Sequence, residues 1–186
     1  MMENKGELCP REDSLLLVLD VQERVLPHVF RKETVVNNCQ KLIQVARILA
    51  IPTLLTEHYP QGLGTTVKEV KELLPDIVPI EKVSFSCCGH PPFIERLAAV
   101  GKKAIIVCGV EAHVCVMQTA LDLLGRNYLP FVVQDAISSR TEENWKAAVA
   151  RLTQAGAMLV TTEMITFELL RKAPSEEFRQ VLPLFR

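Results

Sequence analysis

Short apolar runs alternate with amphipathic stretches along almost the whole chain. Six runs are strand-sized: 15–20 (LLLVLD), 53–57 (TLLTE), 77–81 (IVPIE), 104–109 (AIIVCG), 131–135 (FVVQD) and 157–161 (AMLVT). Unbroken apolar runs of this length fit parallel strands covered on both faces. Between them, apolar residues recur at spacings of three and four. Val35, Cys39, Leu42, Ala46 and Leu49 form one such set; Val67, Val70 and Leu74, ahead of Pro75, form the next. Phe93, Leu97 and Val100 follow a proline pair and precede Gly101, and Trp145, Ala148, Leu152 and Ala155 precede Gly156. Each set marks one face of a helix, with proline and glycine where helices start and stop. A further helical segment opens at Cys115, and 162–186 reads as one helix and a shorter one broken at Pro174. Strands alternating with helices predict an α/β sandwich, its sheet mostly parallel, in a single domain over 1–186.

That architecture says where to look for chemistry. Ligands of open parallel sheets bind beyond the carboxyl ends of the strands. The first run ends in Asp20, the third leads into Lys82, and the fourth ends at Gly109, six residues before Cys115. An acid, an ammonium and a thiol are thus expected along one edge of the sheet. A free thiol ionises near pH 8.5. A neighbouring ammonium and a helix N-terminus would favour the thiolate, and a carboxylate could take its proton. Unpaired N–H groups at the start of a helix could hold an oxyanion. Each residue also has a structural reading: Asp20 as a turn or helix cap, Lys82 as a solvated lysine, Cys115 as a small apolar filler.

Composition narrows the function classes. The chain has 186 residues, 48% hydrophobic and 23% charged, a globular balance. Its 21 basic and 22 acidic residues leave a net charge of -1, which gives no electrostatic footprint for nucleic acid. No apolar run reaches membrane-spanning length, and the opening MMENKGELCPREDS lacks the basic-then-apolar layout of a leader. Six cysteines, at 9, 39, 87, 88, 108 and 115, show no CxxC spacing, so a reduced, cytoplasmic protein is expected. Adjacent Cys87 and Cys88, in a proline-flanked loop, read as filler or as a redox pair. Nucleotide-binding glycine motifs and the G-x-S-x-G of serine hydrolases do not occur. His28, His58, His90 and His113 are scattered and suggest no ligand set. No metal and no cofactor are expected.

Three segments, in this order and at these strand ends, resemble the isochorismatase-like cysteine hydrolase superfamily: LLLVLDVQ, EKVSFS and VCGVEAHVCV. VVQDAISSR is similar to a further common segment, and the resemblance runs through nearly the whole chain. It implies a three-layer Rossmann-like fold with strand order 3-2-1-4-5-6, which sets the first and fourth strands side by side. It also implies Cys115 as nucleophile, Asp20 as general base and Lys82 as their electrostatic partner. A cis peptide would fall between Val110 and Glu111, turning the amides of Glu111 and Cys115 toward a substrate carbonyl. The implied reaction is hydrolysis of a small amide through an acyl-enzyme. Members that cleave the vinyl ether of isochorismate lack the cysteine, and the metal-dependent nicotinamidases carry an Asp-x-His that is missing here. TEHYPQGLG is similar to a loop of uncharacterised members. Gln22, His58, Phe85 and His113 are candidate substrate contacts, with His113 either lining the pocket or capping the helix. A homo-oligomer is implied, with the apolar 181–185 (VLPLF) as a candidate contact or as packing on its own subunit. Two alternatives stay open: a scaffold that keeps the fold without catalysis, and vinyl-ether hydrolysis.

Overall fold

The computed structural model describes residues 8–186; the first half of the opening stretch read for a leader lies outside the described residues. Six strands, all parallel, make one sheet in the order β3-β2-β1-β4-β5-β6. They are β1 (Ser14–Leu19), β2 (Thr53–His58), β3 (Ile80–Lys82), β4 (Ala104–Val110), β5 (Leu129–Ser138) and β6 (Met158–Val160). The helices are α1 (Lys32–Ile48), the short turns α2 (Pro60–Leu63) and α3 (Lys68–Lys71), α4 (Pro91–Val100), α5 (Met117–Gly125), α6 (Glu142–Ala155), α7 (Thr162–Leu170) and α8 (Glu176–Val181). The expected three-layer α/β sandwich and strand order are what the structure shows.

The continuous apolar runs have a direct physical cause. Every residue of β1 and β4 is buried. Successive side chains point to opposite faces, so Leu16 and Val18 join the core under α1, α7 and α8, while Leu15, Leu17 and Leu19 join the one under α4, α5 and α6. Each such leucine contributes roughly 1.5–3 kcal/mol by leaving water. These two central strands are therefore the rigid frame on which any group at their ends is held.

Departures from the periodicity have local reasons. β3 starts only at Ile80 because Pro79 has no N–H for the ladder. The set Val67, Val70 and Leu74 yields one turn, α3, since Pro75 stops it. In α6 the last apolar member, Ala155, is exposed. β5 outruns its expected end because its register with β4 jumps: Val107 pairs with Val132, but Gly109 pairs with Ile137. The residues arched out between them serve the fold. Asp135 Oδ1 accepts from the N–H (2.7 Å) and hydroxyl (2.9 Å) of Thr162 at the start of α7. The apolar 181–185 is not a free contact surface: Val181 is fully buried, and Leu184 and Phe185 pack on the same core.

Gly109 is fixed by close approach. Its φ is +116°, and a Cβ there would strike the Leu19 carbonyl oxygen and lie 2.7 Å from the Leu19 nitrogen. Only glycine lets β4 press against the end of β1. The ends of the two strands, and whatever follows them, are drawn together by that contact.

Candidate active site

Immediately after β1 the chain turns at Asp20, a non-glycine residue at φ 52°. Such a conformation is costly and survives where surrounding bonds impose it. The Asp20 N–H donates to Thr56 O (3.2 Å), and its carbonyl accepts from Gln22 N (2.8 Å). The carboxylate, 3% exposed, is satisfied at both oxygens: Thr56 Oγ1 donates to Oδ1 at 2.6 Å and Lys82 Nζ to Oδ2 at 2.7 Å. Lys82 ends β3, two strands from β1, and reaches the site across β2 with its side chain wholly buried. Its remaining donors go to the carbonyls of Ser84 and Phe85, each at 3.3 Å. Burial is the largest influence and opposes the ammonium charge, but Asp20, Cys87 and Cys115 together outweigh it and hold Lys82 above the ordinary lysine range.

The thiol comes from β4. The Val110–Glu111 peptide is cis, and Ala112–Val116 forms a π-helical turn that leads into α5. The expected helix at Cys115 therefore begins three residues earlier. The N–H groups of Val114 and Val116 both donate to Glu111 O, at 3.1 and 3.2 Å; Cys115 N–H, between them in sequence, does not. Cys115 is 6% exposed. Burial, then the charge of Asp20, push its thiol up to about 12, while Lys82 pulls the other way. The thiolate expected from the sequence is thus not the resting form; burial and the carboxylate prevail over the ammonium. Cys87 belongs to the same cluster: its N–H donates to Thr119 Oγ1 (3.0 Å), one helical turn beyond Cys115, and burial raises its thiol. Cys88 is buried too and pushed up to about 11. Both are free thiols.

Asp20 and Cys115 open on a cavity of about 580 Å³, walled also by Arg24, His58, Phe85 and Glu111. Phe85 stacks on His58 with ring centroids 5.4 Å apart. Burial, then Lys82, lower the pKa of His58, so its ring is neutral at pH 7, and Nδ1 is buried without a hydrogen-bond partner among the described residues.

Gln22 borders the cavity, but its amide is committed elsewhere. It donates to His58 O (3.0 Å) and Gly64 O (2.6 Å) and accepts from His58 N (2.7 Å). It ties down the loop after β2 and has no donor left for a substrate. His113 neither lines the cavity nor caps the helix; its Nδ1 meets Ser139 Oγ at 2.9 Å, which joins the turn after β4 to the end of β5. Beside it, Arg140 grips Glu111 through two hydrogen bonds, of 2.8 and 3.3 Å.

Sequence reasoning missed Thr56, Arg24 and Arg140. Thr56 left a signal, a hydroxyl inside an apolar strand. Arg24 and Arg140 left none, because their partners lie 38 and 29 residues away. Among the described residues no three His, Cys, Asp or Glu side chains are grouped to hold a metal ion, and no helix is long and apolar enough to cross a membrane.

Comparison with known proteins supplies the context. The isochorismatase domain model matches residues 14–164. Isochorismatase domain-containing protein 2 of Rattus norvegicus is 37% identical over 97% of this chain and 84% of its own length. MAR1 ribonuclease from Caenorhabditis elegans superposes with a TM-score of 0.90 at 37% identity, covering 96% of this chain and 92% of its own. YcaC from Pseudomonas aeruginosa, solved with hexane-2,5-diol and covalent acrylamide, gives 0.90 at 31% identity over 96% and 92%. YcaC of Escherichia coli, described as an octameric hydrolase of unknown specificity, gives 0.86 at 29% identity over 96% and 87%.

Proposed function

The chain belongs to the isochorismatase family, and from that premise we propose that it is a hydrolase of small amides in which Cys115, Asp20 and Lys82 do the chemistry. One observation carries the reading: a buried Lys82–Asp20 ion pair beside a thiol on the wall of a cavity. An apolar filler needs neither partner, and a buried ion pair is a poor way to gain stability.

The resting state is a neutral thiol next to a carboxylate. As the amide carbon approaches, Asp20 takes the thiol proton and Cys115 Sγ attacks. The carbonyl oxygen becomes an oxyanion, held by the N–H groups of Glu111 and Cys115. When it collapses, the C–N bond breaks and the amine leaves with the proton from Asp20. Water, deprotonated by the same carboxylate, attacks the thioester; the acid departs and the sulfur recovers a proton. Lys82 stays protonated throughout and offsets each negative charge that forms. Thr56 and Lys82 together hold Asp20 in place.

The covalent acrylamide of P. aeruginosa YcaC supports a nucleophile in this fold, and the octamer of E. coli YcaC supports a homo-oligomer. We read 1–186 as one domain of a cytoplasmic protein that works without metal or cofactor on a small-molecule substrate, with no membrane or nucleic-acid partner.

The test is a screen of small amides (nicotinamide, carbamoyl compounds, ureido acids) with parent protein and Cys115→Ala. The variant should lose at least ~10³-fold in turnover while its circular dichroism is unchanged, and mass spectrometry of the parent should trap an acyl group on Cys115. Turnover by Cys115→Ala at the parent rate would overturn the mechanism. An RNA substrate runs alongside, given the name of the C. elegans neighbour. RNA cleavage that needs Cys115, in the absence of amide hydrolysis, would replace the amide reading.

A further inference from the structure

The loop after β2, residues 59–67, which the proposed chemistry does not use, has a task that the hydrogen bonds disclose. It wraps the segment just after Asp20. Glu23 N donates to Thr65 O (3.0 Å), Arg24 N to Leu63 O (3.0 Å) and Val67 N to Val21 O (2.9 Å). One bond goes further out along a side chain: Arg24 Nη1 donates to Gly62 O at 3.0 Å. The Tyr59 ring lies over Gly62, where any Cβ would collide with it. The loop thus aims a guanidinium, and Arg24 lines the same cavity as Cys115.

The charges around that cavity do not cancel. Asp20 is matched by Lys82 behind it, and Glu111 by Arg140. Arg24 is met only by the neutral carbonyl; among the described residues it makes no ion pair within 4.0 Å. The adjacent acid, Glu23, lies over Gly64 and borders a different groove with Leu26 and Val67. What remains is one permanent positive charge, solvent-exposed where it lines the cavity, with guanidinium donors that a ligand could take over from water.

We propose that Arg24 selects the substrate: the amide cleaved at Cys115 carries a carboxylate, which this guanidinium, lining the same cavity, holds. The inference rests on the amide-hydrolase reading and deepens it. A guanidinium suits a carboxylate because two N–H groups can meet two oxygens in one plane, and Gly62 O occupies only part of the fork.

The experiment uses the full chain and probes in matched pairs: malonamate, succinamate and glutaramate, each against its neutral diamide. Binding is measured by calorimetry with Cys115→Ala, which holds ligands without consuming them. At least one monoamide acid should bind tenfold or more tightly than its diamide, with affinity falling as salt is raised. Arg24→Met should bind both members of each pair alike, and Arg24→Lys should recover part of the preference. In the parent, Arg24→Met should raise KM for the acid far more than it lowers kcat. No preference for charge in any pair, or a preference that survives Arg24→Met, would overturn the role of Arg24. Turnover of the neutral diamides that still requires Cys115 would then leave the hydrolase reading standing. Turnover independent of Cys115 would remove that reading whatever the pairs show.

Discussion

The two ends of strand β1 each hold a buried cysteine, and the contrast between them shows what makes a site. At the amino end, Cys9 is fully buried and its thiol is pushed up to about 11, chiefly by burial. Its surroundings are closed on themselves. Ser14 Oγ meets its sulfur at 3.2 Å and donates to Pro10 O at 2.7 Å, while Glu168 and Arg171 hold its backbone N–H and carbonyl. At the carboxyl end, Cys115 is raised by the same main cause to a similar value, about 12. Acidity therefore does not separate them. Each has a carboxylate and a cation within electrostatic reach, but Glu168 and Arg171 are spent on the Cys9 backbone, whereas Cys115 has Asp20 and Lys82 at its sulfur and stands on the wall of a cavity where a reactant can arrive. A perturbed pKa points to a function only when a partner and a route for substrate accompany it.

The sharpest way to break the contrast is to unpair the ions. Lys82→Met leaves the Asp20 carboxylate buried without its counter-ion and should cost about 3–5 kcal/mol in urea unfolding. If stability stayed within about 0.5 kcal/mol of the parent by this measure (the ordinary size of a surface change), Lys82 and Asp20 would not be a buried, interdependent pair. Next, Asp20→Asn should lower amide turnover by roughly 10²–10³-fold, as loss of a general base does. The same variant should speed alkylation of Cys115 by iodoacetamide at pH 7. The sign follows from the charges: Asp20 raises the thiol and Lys82 lowers it, so removing the carboxylate lets the pKa fall. In the parent, alkylation should climb with pH toward 12, and in Asp20→Asn the climb should begin at lower pH. Slower alkylation in the variant would mean that the carboxylate does not govern this sulfur. Smallest is Ser14→Ala at the other end, expected to cost about 1 kcal/mol for its hydrogen bond and to leave kcat alone. A kcat that dropped with Ser14→Ala would end the claim that only one end of β1 is chemical.

Much of this was legible in the residues. β1, β2, β4 and β5 announced themselves as apolar runs because inner parallel strands are covered on both sides, the edge run 77–81 met β3 only at Ile80 and Glu81, and Asp20 and Lys82 stood where such runs stop. Gly109 was visible as a break, although its collision with Leu19 was not. What could not be read is whatever depends on pairing across the sheet. The state of the Cys115 sulfur is one case, since the sum of burial, one carboxylate and one ammonium is fixed only by their placement. Gln22 and His113 were candidate substrate contacts, but the Gln22 amide is spent on the loop after β2 and His113 Nδ1 meets Ser139. Conversely, Arg24 gives no sign in DVQERV that a glycine carbonyl 38 residues on will steer it.

A sulfur that keeps its proton until its target is in place has a consequence for durability. Peroxides attack thiolates far faster than thiols. The Cys115 side chain, protonated and 6% exposed, is correspondingly a poor target for oxidants while the cavity waits. On the chemistry proposed above, burial and the carboxylate that withhold ionisation double as a safety catch until a substrate fills the cavity.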